Sequence, residues 1–155
     1  MARNRSRYWK LEPGEMSEFK YDESKLLSWE IKCVRQPEDE ARFIGVFLYR
    51  NGTPYDYESI KGVCYYHNNI GRDELQSITS FLQKRFGGKP MEKSERIFLS
   101  GSDVIYAPSE IGRLASDMES EFGTKAVISL EFEGPSPEEL KDAGLPEAKL
   151  LPIPT

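Results

Sequence analysis

The side chains that most often carry out chemistry are scarce in this sequence. Its 155 residues include a single histidine, His67, and two cysteines, Cys33 and Cys64. Any histidine-based acid–base chemistry would therefore have to use His67. The two cysteines form neither a disulfide framework nor the close spacing of a zinc site, and they read as buried thiols of a reducing compartment. No apolar run approaches the roughly 18 residues that span a bilayer, so no membrane partner is expected. The opening Met1 to Arg7 is followed by no apolar stretch, which predicts no secretory signal and a cytoplasmic location. Gly87-Gly88-Lys89 lacks both the spacing and the following Ser or Thr of a phosphate loop. No cofactor and no metal are expected.

What is present describes an ordinary folding domain. Hydrophobic residues make up 38% and charged residues 30%, a balance that supports a core rather than disorder. The net charge of −5 is unevenly spread. Arg3, Arg5, Arg7 and Lys10 stand with no acid among the first ten residues, whereas acids predominate from Glu110 onward. An acidic body opposes non-specific binding to phosphates, while the basic start is the one feature that favours it. The division expected is a basic arm over 1–24, one α+β domain over 25–134, and a short helix with a Pro-rich extended tail over 135–155.

Hydrophobic periodicity supplies the elements. Leu27, Trp29, Ile31 and Cys33 alternate with polar residues, which predicts a half-buried strand. Arg42 to Tyr49 is apolar on both faces and belongs inside a sheet. Asn51-Gly52 signals a tight turn. Val63 to His67 reads as a strand, and a helix follows over 72–86 with Leu75, Ile78, Leu82 and Phe86 on one face. Strands are expected at Ile97 to Leu99 and Val104 to Tyr106, joined by a turn at Ser100-Gly101-Ser102. A second helix over 109–122 carries Ile111, Leu114, Met118 and Phe122, and a strand follows from Ala126 to Phe132. Strand-helix-strand thus occurs twice. That order predicts a ferredoxin-like (split βαβ) antiparallel sheet with two helices on one face, extended by an N-terminal β-hairpin.

Candidate sites are few. Glu30-Ile31-Lys32 on a strand, with Asp22 before it, resembles the PD-(D/E)xK metal-dependent nucleases. The resemblance implies carboxylates on a divalent metal and a lysine near the attacking water. It covers only this segment and departs from the family where a second strand, not a helix, follows. An opposite-charge pair on a wet strand face produces the same letters. Lys61 to Tyr66 resembles the aromatic strand of RNA-recognition domains, whose rings stack bases. Its ring spacing fits loosely, because Tyr65 and Tyr66 point to opposite faces, and the helix expected before it is lacking. Cys64 and His67 likewise fall on opposite faces, which excludes a local Cys–His pair.

Tyr49, Tyr55, Tyr57, Tyr65 and Tyr66 cluster around the Asn51-Gly52 turn, with His67 beside them. Tyrosine joins a large apolar body to a polar tip, which suits interfaces as well as cores. The reading is a non-catalytic binding or regulatory module that meets a protein partner through this tyrosine-rich region. The alternative is nucleic-acid binding by Arg3, Arg5, Arg7 and Lys10, or a nuclease using Asp22, Glu30 and Lys32.

Overall fold

The computed structural model describes residues 6–18, 21, 23–35, 39–49, 62–93, 96–101, 103, 105–133 and 150–151. Eight strands among them form one antiparallel sheet. They are β1 (Ser6–Leu11), β2 (Leu26–Arg35), β3 (Asp39–Tyr49), β4 (Cys64–Asn68), β5 (Lys89–Lys93), β6 (Arg96–Ser100), β7 (Thr124–Glu133) and β8 (Leu150–Leu151), in the order β5-β6-β4-β3-β2-β7-β1-β8. Two helices, α1 (Arg72–Phe86) and α2 (Pro108–Phe122), complete an α+β fold. Neither is long and apolar enough to cross a membrane.

The helices form where their local signals lie. Asp73 and Glu74 stand at the positive end of α1, and Lys84 and Arg85 at its negative end. Gly87, at φ 77°, stops it and donates its N–H to the Gln83 carbonyl. Pro108 opens α2, and Gly123 in the left-handed region closes it. Ile78, Leu82 and Phe86 of α1 and Ile111, Leu114 and Met118 of α2 are buried in one core. The helices touch each other there, since the Phe81 and Phe122 rings meet edge-on at 5.4 Å and Arg85 pairs with Asp117.

Under the helices the sheet presents Trp9, Trp29, Ile31, Cys33, Ile44, Val46, Tyr65, Leu99, Ile128 and Leu130, all buried. A register shift between Leu26 and Ser28 places Leu26, not the expected Leu27, in this core. The 3-10 helix Pro13–Glu18 packs beneath α2. Its approach depends on Gly112, where an added Cβ would lie 2.9 Å from the Met16 Cβ.

Several expectations are corrected. The segment read as a basic arm contains β1, which pairs with β7 along its whole length while Trp9 and Leu11 are fully buried. Alternating Trp9 and Leu11 give it a core-facing row, so it joins the sheet. The β2–β3 hairpin does not extend the sheet from outside. It lies between β4 and β7, because a strand apolar on both faces needs neighbours on both sides. The sheet thus has more strands than the ferredoxin-like arrangement.

The strand after α1 is β5, and the hairpin is β5–β6 rather than one turning at Ser100-Gly101-Ser102. Ile105 and Tyr106 are not in a strand; their carbonyls accept the Trp29 indole N–H at 2.8 Å and the Tyr21 hydroxyl at 2.9 Å. The Asn51-Gly52 turn and the helix expected after Pro135 lie outside the described residues.

Leu82 and Met118 are fully buried in mid-helix positions. Leu82→Ala and Met118→Ala should each destabilise the fold by about 2–5 kcal/mol, through lost transfer energy and a residual cavity. Urea unfolding tests this, and a loss below about half a kcal/mol would contradict the assigned packing.

Candidate functional site

The face of the sheet opposite the helices carries the residues that core packing leaves over. Register places them in lateral rows. One runs Met91, Phe98, Cys64, Phe47, Glu30, Ser129 and Lys10, from β5 to β1. The next runs Tyr66, Gly45, Lys32 and Val127. The face is therefore aromatic and apolar over β6, β4 and β3, and polar or charged over β2, β7 and β1.

Tyr66 organises the aromatic half. An added Cβ at Gly45 would stand 2.4 Å from Tyr66 Cζ, so the ring lies directly against the glycine backbone. The bare strand position admits the ring, and the ring covers the bare strand. Phe43 meets Tyr66 edge-on at 5.8 Å, and Phe47 lies at the same distance, tilted by 51°. Phe47, Cys64 and Phe98 beside them are buried. The Lys32 ammonium stands 4.5 Å above the Phe43 ring centre. Phe43 and Tyr66 are half-buried, Lys32 is exposed, and Met91 retains 43% of its surface.

The other sequence candidates fall apart in space. Tyr65 faces the helices, fully buried, with its hydroxyl 2.6 Å from Thr79 Oγ1. Burial raises its pKa, against the lowering effect of that hydrogen bond. It is a core residue and offers no surface. Tyr49 holds a position opposite Ser28 on the helix-free face. Tyr55, Tyr57 and Asp22 lie outside the described residues. Glu30 and Lys32 share the helix-free face, where Lys32 stacks on Phe43 and the neighbouring Ser28 donates to Glu131 at 2.7 Å. Among the described residues no three His, Cys, Asp or Glu side chains converge as a metal site requires. Arg3 and Arg5 lie outside the description, while Arg7 and Lys10 belong to β1.

His67 stands opposite Ile44 at the end of β4, half-buried, with Nδ1 enclosed and lacking a hydrogen-bond partner. Arg42 leaves its Nε in the same condition, and its guanidinium lies 3.6 Å from Glu74 at the start of α1. Sequence reasoning missed this pairing because Arg42 of β3 and Glu74 of α1 are far apart in the chain and meet only where the helix start comes over the strand. A cleft of about 400 Å³ between α1 and the β5–β6 hairpin is lined by Arg72, Leu75, Thr79, Pro90, Glu92 and Ile97 among others. A wider groove of about 940 Å³ follows the outer side of α1 past Ser77, Phe81 and Lys84 to Glu121. Ser77 Oγ donates to the Asp73 carbonyl one turn back in the helix.

Both cysteines are free and buried. Burial pushes the Cys33 thiol up to about 12; a hydrogen bond with Thr124 opposes the shift and the Glu119 charge adds to it. Burial likewise raises Tyr21, with Glu23 contributing. Comparison of the chain with protein-family models, curated proteins and solved structures finds no match.

Because the folded thiol titrates above its ordinary 9.0, its stabilising contribution is complete below pH 9 and is lost as pH rises toward about 12. Urea unfolding at stepped pH should show a steeper decline over that interval in the native chain than in Cys33→Ala. Parallel slopes would remove the thiol as the cause.

Proposed function

We propose that this chain is a non-catalytic binding module that engages a protein partner through the helix-free face of the sheet, with Tyr66, Phe43 and Lys32 at its centre. The observation that carries the reading is the ring of Tyr66 seated against Gly45 and flanked by Phe43, whose own ring lies under the Lys32 ammonium. Such an arrangement is rigid before any partner arrives. Tyrosine and phenylalanine with few rotatable bonds lose little entropy on binding, and aromatic anchors carry much of an interface's energy. The adjoining polar half, with Lys10, Glu30, Ser129 and Glu131, supplies the hydrogen-bonding rim such interfaces have. Of the tyrosines in this reading, Tyr66 and the position of Tyr49 lie on this face, and Tyr55 and Tyr57 lie outside the described residues. Tyr65 is excluded by burial.

Two finer readings accompany it. The β4–α1–β5–β6–α2–β7 run is interpreted as a ferredoxin-like core opened by insertion of β2–β3, since β4 and β5 run in the same direction with β6 between them. The chain is taken to act in the cytoplasm, consistent with buried reduced thiols.

The test is quantitative capture of partners by the native chain, Tyr66→Ala and Lys32→Glu, with and without nuclease treatment. An anchor residue costs about 2 kcal/mol or more on truncation, so Tyr66→Ala should weaken a saturable protein partner by roughly thirtyfold. Lys32→Glu alters an exposed side chain and should weaken it while leaving the thermal melt unchanged. Capture insensitive to both substitutions contradicts the reading. Capture abolished by nuclease, or metal-dependent cleavage of DNA or RNA lost in Glu30→Ala, would replace it with the nucleic-acid alternative.

A further inference from the structure

The two edges of the sheet are defended differently. At one edge β5 carries Pro90, which interrupts the row of N–H donors, and the exposed Lys89 and Glu92, whose charges oppose an incoming strand. At the other, β1 contains no proline. One side of β1 is firmly backed, since Ser6 to Leu11 pair residue by residue with Glu133 to Ile128 of β7. Trp9 and Leu11 fix it further by burial, with Trp9 edge-on to Phe132 at 5.8 Å. Its outer side, among the described residues, is paired only where Leu151 meets Tyr8 and Leu150 meets Trp9. Among the described residues, a six-residue strand thus faces a guard of two.

We propose that the outer edge of β1 is a strand-addition site, occupied in the free chain by Leu150–Leu151, and that its partner is an extended apolar peptide segment of another protein running antiparallel to β1. The guard shows the chemistry the edge accepts: leucines paired antiparallel through the main chain. Strand addition draws its affinity from main-chain hydrogen bonds, and alternate side chains set the specificity. The two described guard residues make few such bonds. Their covalent link to β7 gives them a high effective concentration. An untethered segment that pairs with more of Ser6–Leu11 can compensate by length. This site lies on the sheet's edge and is independent of the role given to Tyr66 on its broad face.

The experiment compares the full chain with a full-length Leu150→Pro, Leu151→Pro variant, in which both guard residues lose their N–H. Each is titrated with a labelled peptide of residues 145–155 of this sequence, and amide exchange is read across β1. With the tethered competitor gone, the variant should bind the peptide roughly tenfold or more tightly than the native chain, and binding should restore protection to β1 amides. Equal affinities, or no binding by the variant, overturn the proposal. A second measurement uses the native chain alone. Amides of β1 directed toward β8 should exchange at least roughly tenfold faster than those directed toward β7, because a two-residue pairing opens locally. Equal protection on both sides also overturns it.

Discussion

Strand β3 buries side chains on both of its faces, and the arrangement of the sheet follows from that demand. Ile44, Val46 and Leu48 enter the core under the helices, while Phe47 is buried on the opposite side. An edge position would leave one flank of such a strand open and part of its apolar surface wet. With β2 on one side and β4 on the other, the strand is enclosed laterally. Gly45 interrupts its outer row, and Tyr66 of β4 fills the gap. The aromatic patch proposed for recognition is therefore a consequence of how the central strand is packed.

The helical side is tied together by polar groups as well as by burial. The segment before α2 is held from beneath, its Ile105 and Tyr106 carbonyls accepting the Trp29 indole and the Tyr21 hydroxyl. Irregular backbone over a core leaves acceptors that need partners, and these aromatic donors provide them while burying their rings. Ala126 N–H is likewise met by the Glu119 carboxylate, which joins the end of α2 to β7. These bonds fix where α2 crosses the sheet. That placement also lets Gly112 admit the 3-10 helix beneath α2.

The strands show which parts of such a molecule a sequence can disclose. Lys89-Pro90-Met91-Glu92-Lys93 has no apolar alternation, and it is a strand because β6 offers it a partner. Ile105 and Tyr106 have the composition of a strand but spend their carbonyls on side chains. For the candidate site, alternation alone separated Tyr65 from Tyr66. Which of them reaches a surface depended on which face the helices cover. Gly45 and Phe43 gave no signal, and Lys32 was noticed only as the partner of Glu30, because the three residues meet through cross-strand register.

Taken by itself, the sequence determined the two helices, their stripes and their ends, because those rest on contacts within a few residues: a 3.6-residue period, charges at the helix ends and glycines that stop the helix. It also determined that β3 must lie inside a sheet. Tertiary structure alone decided that β2–β3 sits between β4 and β7, that Ser6–Leu11 becomes a strand, and that Leu150–Leu151 pairs with its outer edge. These are pairings between residues far apart in the chain. Main-chain hydrogen bonds are nearly indifferent to which residues make them, so partner choice is settled only when every face competes for burial at once.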